Sequence, residues 1–239
     1  MFGIKGSSKR RSQDEAEKPF WISFSDLMTA LMVLFLIAMA VALLAVTQGL
    51  AQVEAEKMNR QNTIAFCIKN IQQVASRREF KGVVISGHSI KFGTLAEFRL
   101  GRNDLRPKQA DFLRDFVPKV LDVARQKSCD QWLKRVVVEG FASQEGSYLY
   151  NLNLSFQRSQ RILCVLLDTR GNNALSQENR RFVRTLFMAS GSSFNAVKKS
   201  ADESRRVEMT LEFRELDSNR DVLPNIPWDD DDHCPSDYI

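Results

Sequence analysis

The sequence predicts an α+β protein in which a single N-terminal transmembrane helix precedes a small α/β sandwich domain. Two observations lead to this prediction. One is an apolar run near the N-terminus, PFWISFSDLMTALMVLFLIAMAVALLAV, and the other is an alternation of helical and strand patterns further along the chain. At 239 residues, the chain has room for one membrane segment and one ordinary domain, so a second large domain is not expected.

The apolar run is long enough to cross a membrane. Between Leu27 and Val46 the sole polar side chain is Thr29, and a helix of about 20 such residues spans a hydrocarbon core of about 30 Å. Lysine and arginine precede the run and do not occur from Thr47 to Val53, which predicts a cytoplasmic N-terminus. We therefore expect an uncleaved, single-pass anchor whose C-terminal domain lies across the membrane from the N-terminus, which is the periplasm if the cell is a Gram-negative bacterium.

An acidic residue, Asp26, lies inside the predicted span. An acid at the centre of a membrane helix costs about 2.5 kcal/mol or more, and less near the interface, so it needs compensation. Helical spacing places it on one small, polar face with Ser23, Thr29 and Ala30. Such a face predicts close packing against partner helices, where the carboxyl group can bind and release an ion. The alternative is an acid at the helix entry that pairs with Lys18 or caps a partner helix.

The region after the span carries helical and strand patterns in alternation, which is typical of an α/β sandwich. Residues 52–78 have apolar residues at helical spacing and predict a connector helix. Strands are predicted at 82–86, 133–140 and 205–214, and helices at 106–127 and 154–167. The segment 169–201, with a short helix at 178–188, is interpreted as an insertion before the last strand.

These patterns divide the chain into five parts. They are a cytoplasmic tail at 1–18, the transmembrane helix at 19–47, a periplasmic connector helix at 48–79, the folded domain at 80–216 and a C-terminal tail at 217–239. The tail contains four consecutive aspartates but lacks the glycine and the alternating ligands of a calcium loop, so we interpret it as a solvated terminus.

Composition argues against several classes of function. The net charge of +5 comes from basic residues interleaved with acids, without the basic stripe of a nucleic-acid-binding protein. The spacing of the cysteines and histidines predicts no metal, no cofactor and no catalytic site. Outside the cytoplasm the four cysteines can form one or two disulfides, in three pairings if all are used, and buried thiols are the alternative: Cys67, Cys129, Cys164 and Cys234.

The run FWISFSDLMTALMVLFL resembles the transmembrane helix of the MotB, ExbD and TolR class of stator subunits, and most closely that of the ZorB family of Zorya antiphage defence systems. In this class the aspartate at the position of Asp26 carries the ion, so the resemblance implies an ion-driven motor subunit. It also implies a homodimer inside a pentamer of a multi-span, ZorA-like partner. The expected ion is H⁺, with Na⁺ as the alternative. The short tail and connector favour ZorB over a flagellar MotB.

The segment VVVEGFASQEGSYLYNLNLSFQRSQRIL resembles the peptidoglycan-binding signature of OmpA-like domains, and RRVEMTL resembles their closing strand. The resemblance implies an OmpA-like fold that binds the diaminopimelate residue of peptidoglycan. Most of the implied contact residues lie at i, i+3, i+4 and i+7 on one helix face, and a planar guanidinium suits a ligand carboxylate. The implied contact residues are Tyr150, Asn151, Leu154, Ser155 and Arg158.

Two alternatives stay open for this segment. Ser143 stands where the family usually has an aspartate, and a serine cannot pair with a ligand ammonium, so Glu145 is a candidate substitute. For Arg158, the alternative to ligand binding is an ion pair with Glu139 or Glu208. A second functional hypothesis is a purely structural anchor between membrane and cell wall, in which the acid of the span has no role.

Overall fold

The computed structural model describes residues 11–170 and 173–216. The predicted tail at 217–239, with its run of aspartates, lies outside the described residues, and so do residues 1–10 of the predicted N-terminal tail. The chain forms two compact units, Met1–Lys57 and Met58–Ile239.

A single helix, α1, extends from Arg11 to Ala75. Among the described residues, one helical stretch is long and apolar enough to cross a membrane, and it begins at Ser23 within α1. Its most apolar window has a mean hydropathy of 2.8, and none of that window is buried within the chain. The predicted connector helix belongs to the same continuous element, because residues 47–75 contain many strong helix formers and no proline.

The second unit contains a five-stranded sheet with the order β1-β2-β5-β3-β4. Its strands are β1 Val84–Ser86, β2 Ser89–Lys91, β3 Leu133–Gly140, β4 Phe187–Gly191 and β5 Val207–Phe213. Neighbouring strands are antiparallel except β3 and β4, which are parallel. The strand predicted at 205–214 is confirmed as β5, and its alternate residues Val207, Met209 and Leu211 are buried on one face.

The helices of the second unit pack on the sheet and on one another. The helices after α1 are α2 Pro107–Ala124, α3 Lys127–Asp130, α4 Tyr148–Leu167, α5 Gln177–Leu186 and α6 Ala201–Ser204. Helix α4 packs on β3 and β4, and α2 packs on α4. The helix predicted at 154–167 begins earlier because the Ser147 hydroxyl caps it, accepting a hydrogen bond from the Tyr150 amide at 3.3 Å. The predicted fold class, an apolar helix followed by a mixed α/β domain, is confirmed.

The interpretation of residues 169–201 as an insertion is wrong. This segment contributes α5 and the edge strand β4, which pairs in parallel with β3 from Val136 to Gly140. Val183 of α5 is fully buried in the core. The sequence of β4, FMASG, ends in small residues and shows no clear alternation of burial, so the usual strand signal is weak there.

A disulfide joins α1 to α3, between Cys67 and Cys129, with 5.6 Å between the two Cα atoms. Both residues are buried in the main hydrophobic cluster, together with Ile71 and Val74 of α1. Cys164 is disulfide-bonded as well. Of the two alternatives for the cysteines, the structure shows disulfides rather than buried thiols at Cys67, Cys129 and Cys164, and the end of α1 is part of the domain core.

Removing the Cys67–Cys129 disulfide is expected to destabilise the domain. The bond closes a loop with a sequence separation of 62 residues, and loop closure of that length contributes about 4 kcal/mol in the chain-entropy description. The double variant Cys67→Ser with Cys129→Ser should lose about 2–5 kcal/mol of unfolding free energy. Chemical unfolding followed by circular dichroism measures the loss, and an unchanged free energy under oxidising conditions would contradict a stabilising role.

Candidate functional site

The first candidate site is the polar face around Asp26 on α1. The Thr29 hydroxyl donates to the backbone oxygens of Ser25 at 3.0 Å and of Asp26 at 2.9 Å, since a hydroxyl in apolar surroundings needs an acceptor. The acid and its predicted neighbours Ser23, Thr29 and Ala30 are all exposed in the single chain. Any cover for the carboxylate in a membrane has to come from outside the described part of this chain.

The second candidate site is a cavity of about 260 Å³ in the second unit. Three segments enclose it: the loop before α2, the turn after β3 and the first half of α4. Four of the five residues predicted to contact peptidoglycan line it, together with five others. The lining residues are Leu100, Gly101, Ser143, Glu145, Gly146, Tyr150, Asn151, Leu154 and Arg158.

The fifth predicted contact residue, Ser155, does not line the cavity. It is fully buried, its hydroxyl donates to the Leu152 carbonyl at 2.8 Å, and the same hydroxyl accepts a hydrogen bond from the Ser193 amide at 3.0 Å. The reason is its place at the edge of the predicted helix face, on the side that touches the sheet. Through this hydrogen bond to Ser193, Ser155 connects α4 to the loop after β4.

Arg158 lies at the closed end of the cavity and is fully buried. Its Nε donates to the Arg102 carbonyl at 3.0 Å, Nη1 to the Phe141 carbonyl at 2.8 Å and Nη2 to the Arg99 carbonyl at 3.2 Å. The guanidinium carbon also lies 5.3 Å from the centre of the Phe98 ring. A guanidinium has five N–H donors, so two are left after these bonds for a ligand in the cavity.

Among the described residues no carboxylate pairs with the Arg158 guanidinium, and the group keeps its charge. Burial, with a smaller contribution from the positive charge of Arg205, lowers the pKa of Arg158 to about 10, so the side chain is protonated at neutral pH. The alternative of an ion pair is not what the described residues show. Glu208 pairs with Arg206 at 2.7 Å, and Glu139 accepts a hydrogen bond from a serine hydroxyl of the loop after β4.

The turn after β3 carries a carboxylate at the open side of the cavity. Glu145 is exposed, and the buried Ser143 hydroxyl donates a hydrogen bond to its carboxylate, which lowers the pKa of Glu145. Asn151 donates from Nδ2 to the Glu145 carbonyl at 2.9 Å and to the Ser147 carbonyl at 3.2 Å. Gly146 has a φ of +100°, a conformation that favours glycine. Hydrogen bonds to the carboxylate and to the backbone carbonyl of Glu145 thus stabilise one conformation of the turn.

Leu100 and Gly101 are cavity residues that the sequence did not indicate. They precede α2 in a loop without a motif, and the chain brings them to α4 only in the folded domain. The one local signal is Gly101, whose φ of +66° marks a tight turn.

The sequence matches a known family over its N-terminal part. Residues 5–58 match the family described as membrane MotB of the proton-channel complex MotA/MotB. This range contains the whole predicted span and Asp26.

Several solved structures are similar to part of the chain. They include the OmpA-like domain of FopA1 from Francisella tularensis, at 19% identity over 56% of this chain and 82% of that one, with a TM-score of 0.35. The cell wall anchor of the T6SS from Pseudomonas aeruginosa is 19% identical over 61% of this chain and 97% of that one, with a TM-score of 0.38. The periplasmic domain of Helicobacter pylori MotB is 11% identical over 56% and 83%, with a TM-score of 0.40.

A curated relative covers nearly the whole sequence. The Zorya protein ZorB of Escherichia coli O139:H28 is 41% identical over 232 residues, which are 95% of this chain and 94% of the relative. Identity at this level over both the membrane helix and the folded domain shows that this chain belongs to the ZorB family of Zorya proteins.

Proposed function

We propose that the chain is the ion-carrying stator subunit of a Zorya-type antiphage defence complex in the bacterial inner membrane, fixed to peptidoglycan by its C-terminal domain. The observation that carries the proposal is Asp26, an exposed acid within a helix whose surrounding apolar side chains are also exposed. A carboxylate in that position is costly in a lipid bilayer unless other helices enclose it. The ZorB relative and the MotB family match cover the same helix.

The membrane part of the proposal follows from the face around Asp26. Ser23, Thr29 and Ala30 are small, so a partner helix can approach the acid closely. Thr29 satisfies its hydroxyl on the backbone, which leaves the carboxylate free to exchange an ion. We propose that the carried ion is H⁺, with Na⁺ as the alternative. The enclosing partner is a pentamer of a multi-span, ZorA-like subunit around two copies of this chain.

The cell-wall part of the proposal follows from the cavity. Its buried guanidinium suits a carboxylate, and its volume of about 260 Å³ suits one amino-acid side chain rather than a whole polymer. We propose that it takes the diaminopimelate residue of a peptidoglycan stem peptide. The cavity then lies in the periplasm, the N-terminus in the cytoplasm, and the chain acts as a holder without a catalytic site of its own.

Tyr150 provides the first test of wall binding. Its ring lines the cavity and is 53% exposed, so Tyr150→Ala removes contact area without opening the core. We expect the full-length protein in detergent to pellet with isolated peptidoglycan, and the variant to bind roughly tenfold more weakly. The matched control is Leu149→Ala, a neighbouring side chain that is 74% exposed and does not line the cavity.

The same preparations separate the proposal from a purely structural anchor. A stator subunit should co-purify with a multi-span partner when the two are produced together. Purification of the chain alone, with peptidoglycan binding intact, would favour the anchor. Equal pelleting of wild type and Tyr150→Ala would contradict binding through this cavity.

A further inference from the structure

The loop before α2 forms one wall of the cavity and also holds the buried guanidinium. Leu100 and Gly101 of this loop line the cavity. The Arg99 carbonyl accepts a hydrogen bond from Arg158 Nη2 at 3.2 Å, and the Arg102 carbonyl accepts one from Arg158 Nε at 3.0 Å. The conformation of this loop therefore sets the direction of the two N–H groups of Arg158 that remain for a ligand.

The backbone of this loop provides little restraint of its own. Among the described residues, the one backbone hydrogen bond within 99–105 joins the Arg102 amide to the Arg99 carbonyl at 3.1 Å. Gly101 has a left-handed backbone, with a φ of +66°, and the Leu100 side chain is 61% exposed. A loop with so few contacts needs its side chains to select one conformation.

One carboxylate, that of Asp104, joins the two residues whose carbonyls hold Arg158. Its Oδ1 accepts a hydrogen bond from Arg102 Nε at 2.8 Å, and its Oδ2 accepts one from Arg99 Nη2. The Asp104 side chain is 23% exposed, against 62% for Arg99 and 57% for Arg102. The carboxylate is thus the most buried member of this group, and it ties both ends of the turn together.

The Asp104 carboxylate is charged at neutral pH. Burial favours the neutral acid, but the hydrogen bonds from Arg102 and Arg99 outweigh it and lower the pKa of Asp104 below its ordinary value. Charge-assisted hydrogen bonds are roughly twice as strong as neutral ones. A neutral hydrogen bond from Asn103 Nδ2 to Gln157 Oε1, at 3.2 Å, also links the loop to α4. The charged restraint on the loop comes from Asp104.

We infer that Asp104 is a positioning residue for peptidoglycan binding: its charge fixes the carbonyls of Arg99 and Arg102, and these direct the Arg158 guanidinium into the cavity. This inference rests on the proposed wall-binding function. Asp104 does not line the cavity, so it acts on affinity through Arg158 and not through a contact with the ligand.

The variant Asp104→Asn tests this role, because asparagine keeps the shape of the side chain and removes its charge. Full-length protein in detergent is mixed with graded amounts of isolated peptidoglycan, and the pelleted fraction gives the affinity. We expect roughly fivefold to tenfold weaker binding, the range for losing two partly exposed ion pairs. Asp104→Glu restores the charge and should bind within about twofold of the wild type.

The matched control is Asp168→Asn. Asp168 also pairs with an arginine, Arg170, through two hydrogen bonds of 3.0 Å, and it does not line the cavity. This variant should bind peptidoglycan like the wild type. The urea midpoints of Asp168→Asn and Asp104→Asn should both stay near the wild-type value, because neither change touches the hydrophobic core.

A double variant shows whether Asp104 acts through the guanidinium. Arg158→Lys keeps the positive charge but loses the fork that the carbonyls hold. Adding Asp104→Asn to Arg158→Lys should weaken binding no further, because both changes act on the same group and their effects do not add. A merely structural role of Asp104 would instead add its loss to that of Arg158→Lys.

The outcomes separate this inference from the wall-binding proposal. Wild-type affinity in Asp104→Asn would overturn the inference alone, and so would an equal loss in Asp168→Asn or a further loss in the double variant. Wild-type protein that does not bind peptidoglycan would overturn the wall-binding proposal as well.

Discussion

Asp26→Asn is expected to abolish phage protection while the membrane complex still assembles. Asparagine keeps the shape of the side chain and its ability to form hydrogen bonds, but it cannot bind and release a proton. Packing of the face formed with Ser23, Thr29 and Ala30 should therefore persist, and the ion path should be blocked. Plaque counts on cells that carry the complete defence gene set measure the loss, which should reach the level of cells without this subunit.

The control for this variant is Asp115→Asn, an equal chemical change at an exposed position of α2 in the folded domain. It should protect cells like the wild type. Co-purification of the partner with Asp26→Asn shows whether assembly survives. Full protection by Asp26→Asn would contradict ion transport by this residue and would favour the purely structural anchor.

Gly140→Ala is expected to prevent stable folding of the C-terminal domain. A Cβ atom at Gly140 would lie 1.8 Å from the backbone oxygen of Ser155 and 2.8 Å from its carbonyl carbon. These are backbone atoms of α4, so relief requires the whole helix to move off the sheet. We expect a loss of about 4 kcal/mol or more, a large part of the stability of an ordinary domain.

The control for Gly140→Ala is Gly87→Ala. Gly87 has a φ of +58°, and a Cβ atom there would have no neighbour within 4 Å. Its cost should be limited to that of a left-handed backbone, about 1 kcal/mol. Urea unfolding measures the stability of both variants. It distinguishes the cost of a steric clash with α4 at Gly140 from the cost of backbone strain at Gly87. Similar midpoints for both would contradict the need for contact between α4 and the sheet at Gly140.

The close approach at Gly140 also sets the geometry of the cavity. The next residue in the chain, Phe141, accepts the 2.8 Å hydrogen bond from Arg158 of α4. If the helix moved away from β3, this bond would break and the guanidinium would leave the closed end of the cavity. A glycine at the end of a strand thus determines whether the cavity can form.

The sequence predicts the central elements of the domain well, for local reasons. The strand at 133–140 matches β3 to the residue, because VVV is a strong β-forming run that ends at a glycine. It predicts only part of the sheet, however. Strand β2 has three residues, from Ser89 to Lys91, which is too short to show alternation, and β4 consists mainly of small residues.

The candidate site shows the limit of spacing arguments. The helical period correctly places Asn151, Leu154 and Arg158 on one face, and all three line the cavity. Spacing does not tell that Arg158 is fully buried, because the carbonyls that surround it come from Arg99 and Arg102, more than fifty residues away in sequence. Contacts at that separation depend on how the loop before α2 folds, and no local pattern records it.

If the cavity holds a cell-wall ligand as proposed, the carbonyl partners of Arg158 have a mechanical consequence. The guanidinium is tied to the loop that contains Arg99 and Arg102 and to Phe141 at the end of β3, while its own backbone belongs to α4. Tension that arrives through a ligand on this side chain is divided among three chain segments. The force then does not act on α4 alone, so the bound side chain resists stepwise unwinding of that helix.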